Sequence, residues 1–177
     1  MRTILIIFIY FISVSSSIAD QNNSRLDPLF KELTLIKNEL AADLILAEIW
    51  SIWSKTDNEM AQEIFEEGNQ LMSKGQFEES ILTFTEVIAL QPDFAEAWNK
   101  RATVYFFNGE FEKSIQDIEK TLSLEPRHFG ALDGLAQIYF LQDKFLKAAA
   151  TYEQLLQILP FSENAKRQLE RINGQFI

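Results

Sequence analysis

Between residues 61 and 162 the apolar positions recur with the period of a helix, and the helices come in pairs. From Ala95 to Phe107, the residues Trp98, Ala102, Tyr105 and Phe106 follow the i, i+4, i+7 spacing of a single helical face. Asn108-Gly109 breaks that pattern, because a helix commonly ends on a glycine in the left-handed conformation. The pattern resumes from Phe111 to Leu124 through Ile115, Ile118 and Leu122. Pro126 then stops it, since proline lacks an amide donor and clashes with the preceding turn. The spacing predicts a helix hairpin.

The hairpin repeats every 34 residues. Pro92, Pro126 and Pro160 hold this spacing, as do Gly75, Gly109 and Asp143, and also Phe77, Phe111 and Phe145. Leu71, Tyr105 and Tyr139 fall in step, with Gly68, Ala102 and Ala136, then Ser80, Ser114 and Ala148, and Phe84, Ile118 and Tyr152. Seven columns in register define three units, 61–94, 95–128 and 129–162. The two small-residue columns are expected where the helices of one hairpin approach most closely, since a large side chain there would hold them apart. Asp143 replaces Gly at the third turn, and Asp tolerates the left-handed region better than most non-glycine residues.

The flanks lack these markers. Arg2, the apolar run Ile4 to Val14 and the small residues Ser17 and Ala19 read as a signal peptide over 1–19, cut after Ala19. That run is about eleven residues, short of the ~20 that span a bilayer, so no membrane insertion is expected after cleavage. Residues 20–26 are polar and expected to be flexible. Over 27–57 a divergent helix pair is expected, opening on Asp27-Pro28 and carrying Phe30, Leu33 and Ile36, then Leu46, Ile49, Trp50 and Trp53. This pair reads as a capping unit placed before the first repeat, with its two tryptophans in the core. Over 163–177, Ser162 caps a last helix with Ala165, Leu169 and Ile172 inward, followed by a short tail.

These residues resemble the tetratricopeptide repeat (TPR) family. Trp98, Ala102, Tyr105, Ser114, Ile118 and Pro126 match its pattern in the second repeat, and Leu132, Leu135, Ala136, Tyr139, Ala148, Tyr152 and Pro160 in the third. The first offers Gly68, Phe84 and Pro92, while Glu67 departs from the usual Leu. The chain is also similar to small exported TPR proteins of Gram-negative bacteria. The resemblance implies an all-α fold, an α-solenoid of three TPR helix hairpins flanked by the divergent pair and a C-terminal capping helix.

It further implies a concave groove lined by the first helix of each hairpin. By family geometry the groove positions include Phe65, Asn69 and Met72, then Asn99, Thr103 and Phe106, then Gly130, Asp133, Gln137 and Phe140. Gln62 and Glu96 head the first two sets, beside Gly130 in the third. Amides would bond a peptide backbone, and Phe65, Met72, Phe106 and Phe140 would anchor apolar side chains. Gly130 and Gly134 are costly in a helix; they either leave the groove floor bare for a ligand or serve close packing. Relatives that clamp a terminal carboxylate use cations on this face, where only Lys100 is near.

Composition changes the picture in two ways. The formal net charge of −10 becomes −11 once Arg2 is removed with the signal segment, which disfavours nucleic acid and favours neutral or basic protein partners. No Cys is present, so stability rests on packing; with an export signal this suits a periplasm, or more generally a secreted location. Catalytic signatures are missing: His128 is the sole histidine, with no positioned nucleophile, no metal-ligand spacing and no phosphate-binding glycine loop. His128 is either a local cap or a pH-sensitive contact at the groove edge. The expected function is a protein-interaction scaffold or adaptor in the cell envelope, not an enzyme, without cofactor or metal, binding a peptide or helix. The alternative is a structural or accessory subunit of an envelope enzyme or assembly complex.

Overall fold

A computed structural model of the protein describes residues 20–36 and 39–174. The expected signal segment with its cut after Ala19 lies outside the described residues, as does the end of the tail. Three hairpins stack in chain order: α3 (Glu59–Ser73) with α4 (Phe77–Leu90), α5 (Ala95–Phe107) with α6 (Phe111–Leu124), and α7 (Phe129–Leu141) with α8 (Phe145–Ile158). Preceding them are α1 (Leu26–Leu33) and α2 (Glu39–Trp53); α9 (Glu163–Asn173) follows. The result is the expected all-α solenoid.

Each hairpin turn needs one residue in the left-handed region. Gly75 and Gly109 take φ of 73° and 76°, and a Cβ added to either would meet nothing, so backbone conformation and not space selects glycine. Asp143 adopts the same turn at φ 56°.

The small-residue columns sit where the helices cross. A Cβ on Gly68 would come within 2.8 Å of the Phe84 ring. Ser80 Oγ donates to the Gly68 carbonyl at 3.0 Å, and Ser114 Oγ to the Ala102 carbonyl at 2.7 Å, so each serine fits the crossing and satisfies its own hydroxyl. Ala102, Ala136 and Ala148 are buried. Ala102→Leu and Ala136→Leu are each expected to cost ~1–3 kcal/mol by overpacking, read as a lower denaturant midpoint. Unchanged midpoints would contradict this crossing geometry.

Adjacent hairpins are joined by apolar burial, with Val87 and Ile88 of α4 packed among Phe94, Ala97 and Val104. A polar tie reinforces the joint. Arg101 bonds both oxygens of Asp117 on α6, at 2.7 and 2.8 Å, and Thr85 Oγ1 on α4 at 2.9 Å. Its guanidinium also lies 5.0 Å from the centre of the Trp98 ring.

The amino-terminal pair departs from the capping position expected before the first repeat. Among the described residues, the core around α3 and α4 contains none from α1 or α2. Leu29, Phe30, Leu33, Ile45, Ile49 and Trp53 instead share a core with Phe129, Leu132, Tyr152, Leu155 and Phe161 of the third hairpin and its neighbours. Segment 20–26 is tied down as well. Gln21 is buried, with its side chain bonded to the Asp93 carbonyl and the Ala95 amide. α1 begins at Leu26, so Asp27 stands inside its first turn, not at the cap, and pairs with Arg127 at 2.7 Å. At the other end Ser162 Oγ accepts from the Ala165 amide at 3.3 Å, and α9 buries Ala165 and Ile172.

Candidate partner-binding groove

α2 crosses the amino-terminal ends of the inner helices. Trp50 packs edge-on to His128 and Phe129, at centroid separations of 5.4 and 5.1 Å, and Lys100 lies 6.0 Å from its ring centre. Trp53 stacks on His128 at 4.3 Å with the planes 12° apart. A Cβ on Gly130 would stand 2.7 Å from Trp50 Cη2. Gly130 therefore admits the chain's own tryptophan, which decides for close packing over a floor left bare for a ligand. Gly130→Ala is expected to push the indole aside and cost ~1–3 kcal/mol, measured as a drop in Tm; no drop would mean Trp50 is loosely held.

Beneath the tryptophans lies a buried polar pair. His128 and Glu96 are 0 % and 1 % exposed, with Nε2 and Oε2 2.9 Å apart. His128 Nδ1 accepts from the Ala131 amide at 3.1 Å and so caps α7. An accepting Nδ1 leaves the proton on Nε2, which donates to the Glu96 carboxylate. Both ring nitrogens are engaged and the ring is out of reach of solvent; His128 is a local cap and not a groove-edge contact. Asn99 donates to Glu96 at 2.9 Å, and Lys100 Nζ stands 3.3 Å from its other oxygen. Burial pushes the Glu96 carboxyl up, but the His128, Lys100 and Asn99 contacts outweigh it and hold the carboxyl below its ordinary range. Lys100 is thereby occupied.

The first row of expected groove positions is thus covered. Gln62 bonds the α2–α3 connection at the Thr56 amide and the Ser54 carbonyl, Glu96 is buried, and Gly130 faces Trp50. Past this wall the groove opens. A cavity of about 230 Å³ between α5 and α7 is lined by Asn99, Thr103, Phe106, Gly130, Asp133, Gly134 and Gln137. A second, of about 510 Å³, adds Phe140, Leu141 and Arg171 toward α9 and shares Phe106 and Gln137. A third, of about 360 Å³, lies under α2 between Leu46, Trp50, Gly130 and Asp133. The structure thus gathers eight of the expected residues around adjoining cavities.

Phe65, Asn69 and Met72 are not among them. Phe65 is 2 % exposed and packs on Phe84 and Phe94, 5.7 and 4.9 Å between centroids, so it belongs to the core and offers no anchor. Asn69 and Met72 are half-buried on α3 and line none of these three cavities. What sequence reasoning missed was Phe107 and Leu141, exposed at the far end of the inner helices, and the contribution of α2. Phe107 and Leu141 are themselves 34 residues apart, a signal present in the repeat.

The repeat register and its stacked hairpins agree with comparison to known proteins. The family model described as TPR repeat matches residues 68–109, and that described as Tetratricopeptide repeat matches 99–163, together more than half of the chain. The chain is a tetratricopeptide repeat protein. A TPR repeat-containing protein of Rhizobium etli is 32 % identical over 82 residues, which are 46 % of this chain and 40 % of that protein's length. The TPR domain of Sgt2 from Aspergillus fumigatus superposes with a TM-score of 0.62 at 22 % identity, over 67 % of this chain and 80 % of that one. The first TPR of Spaghetti (RPAP3), bound to the HSP90 peptide SRMEEVD, gives 0.64 at 23 % identity, over 68 % and 95 %. The Yersinia enterocolitica type III secretion chaperone SycD, in complex with a peptide of the translocator YopD, gives 0.65 at 9 % identity, over 68 % and 98 %. At such identities the likeness is one of fold. In this tetratricopeptide repeat protein the matched residues begin at 68, so α1 and α2 belong to no matched repeat.

Proposed function

We propose that this protein is a non-catalytic scaffold of the cell envelope that binds a peptide or helix of another protein in the α5–α7 cavity. The observation that carries the reading is the cavity itself, a cleft that sets amide and hydroxyl groups of Asn99, Thr103 and Gln137 beside the Phe106 ring. Such a mixture bonds a peptide backbone and seats an apolar side chain. Structural neighbours that hold peptides, from HSP90 and from YopD, support an interaction role for the fold. Export is supported by Arg2, the apolar run and Ala19; sequencing of the protein recovered from its compartment would then begin at Asp20. Among the described residues no helix is long and apolar enough to cross a membrane. A neutral or basic partner is supported by the net charge of −10.

Gly134→Ala tests the groove. A Cβ there would make only an ordinary contact, 3.7 Å from Ile118 Cδ1, while protruding into the cavity. The variant is expected to gain up to ~1 kcal/mol in stability from helix propensity and to bind peptide more weakly in a titration. Stabilisation with unchanged binding would sink the groove reading. A second reading, a structural or accessory subunit of an envelope enzyme or assembly, is favoured by Leu40 and Leu44, each 83 % exposed one turn apart on α2. Crosslinking to a partner at Leu44 and not at Phe106 would select it.

A further inference from the structure

Asp133 is an odd residue to place in the wall of a half-apolar cleft. Its Oδ2 accepts from Gln137 Nε2 at 2.7 Å, one turn along α7. Its Oδ1 is buried and has no hydrogen-bond partner among the described residues. A carboxylate oxygen removed from water without a donor is destabilising, and burial raises the Asp133 carboxyl against the opposing Gln137 bond. The cations of the surrounding helices are engaged elsewhere, Lys100 with Glu96 at 3.3 Å and Arg171 over the Phe140 ring at 4.7 Å. The space beside Asp133 has been kept open. Gly134, a poor helix former, adjoins it on α7, where an added Cβ would make only an ordinary contact, 3.7 Å from Ile118 Cδ1, and Asp133 borders both the 230 Å³ cavity and the 360 Å³ cavity under α2.

We propose that Asp133 is the receptor for a Lys or Arg side chain of the bound peptide. The ammonium or guanidinium supplies the donor that the carboxylate lacks, and rotation about the terminal torsion presents either oxygen to the cavity. The aliphatic stem of the ligand lies against Ile118 and the Phe106 ring, both in the cavity wall. This inference rests on the groove reading above and adds the chemistry of the ligand to it. It also gives the closely packed α2 a role. Trp50 lines one side of the space next to Asp133, so the cation reaches the carboxylate in a partly enclosed site where its charge interaction is stronger than at an open surface.

The test needs no knowledge of the natural partner. The purified protein is titrated with Nα-acetyl-lysine methylamide and Nα-acetyl-arginine methylamide, with the norleucine analogue as the uncharged control and glycinamide as a source of terminal amine. Amide shifts of Thr103, Gly134 and Gln137 are followed by NMR. The lysine and arginine compounds are expected to move these amides, and Asp133→Asn, close in shape to the native side chain, to weaken them at least about tenfold. An equal response to norleucine, an unchanged affinity in Asp133→Asn, or binding by glycinamide alone would overturn the proposal. A random-peptide display against the same protein separates the two layers of the argument. Recovered peptides that share a Lys or Arg and lose binding to Asp133→Asn support it. Peptides that crosslink at Phe106 yet carry no common basic residue overturn the Asp133 anchor and leave the groove standing. Peptides that crosslink only outside the cavity overturn both.

Discussion

Trp53→Ala is expected to lower stability by about 3–5 kcal/mol, the cost of truncating a fully packed aromatic side chain. Trp53 is 2 % exposed, stacked on His128 and in ring contact with Trp50, Phe129 and Phe30 at centroid separations of 5.4, 4.9 and 5.9 Å. Its indole N–H has no hydrogen-bond partner among the described residues, so the loss is one of packing and not of a polar contact. Because Trp53 is the last residue of α2, the damage should be local at first. α1 and α2 are expected to come away from the repeats while α3 to α9 remain helical. Limited proteolysis between α2 and α3, over 54–58, checks this alongside thermal melting. A variant that melts like the native protein and resists cleavage there would show that the pair is held by something other than its aromatic cluster.

His128→Ala should be as damaging, for a different reason. It removes the cap of α7, the ring stacked on Trp53 and the donor to Glu96 in a single change. Leaving the buried Glu96 carboxylate short of that donor costs about 1–3 kcal/mol or more, and the loss of ring packing and of the helix cap adds to it. Replacing both Glu96 and His128 with leucine is expected to be less harmful than the single change, since no carboxylate is then left short of a donor. A double-mutant cycle on denaturant midpoints measures that coupling. The pH dependence follows from Glu96. A carboxyl held lower in the folded chain than in the unfolded one contributes stability that is complete above the unfolded value, about pH 4.3 for glutamate. That contribution is lost as pH falls through the lowered folded value. Glu96→Gln is therefore expected to flatten the acid side of the stability curve. If stability falls with acid as steeply in the variant as in the native protein, other carboxyls carry the effect.

The inner helices were legible because their residues answer to a local rule. Tyr105, Ala102 and Pro126 occupy their positions for reasons confined to one hairpin and its neighbour, and such reasons recur at a fixed spacing. The cavity residues Asn99, Thr103, Phe106, Asp133 and Gln137 could be named because the repeat register carries the groove positions of the resembled family onto them. Phe65 shows the limit of that register. It shares a column with Asn99 and Asp133, yet an apolar ring at that position turns inward against Phe84 and Phe94, whereas the polar members line the cleft. Column position alone does not say which way a side chain is drawn.

Gly130 and His128 were harder still. Both are left open by the repeat: Ser162, 34 residues after His128, caps α9 in the same way, but nothing in the period encodes the bond of the His128 ring to Glu96 or the fit of Gly130 against Trp50. Their partners, Trp50 and Trp53, lie far off in sequence on an element outside the period. The apolar spacing of α2 says that one side of it is buried but carries no information on what buries it.

From the sequence alone came the hairpins, their 34-residue stacking and the left-handed turns, because each follows from contacts between near neighbours repeated in step, and with them, through the family resemblance, most of the cleft. Only the tertiary structure decided where α1 and α2 go. Their burial depends on long-range complementarity between two tryptophans, a glycine and a buried His–Glu pair, and no local pattern encodes that match. The same docking lines one side of the groove and leaves Asp133 facing the space that remains.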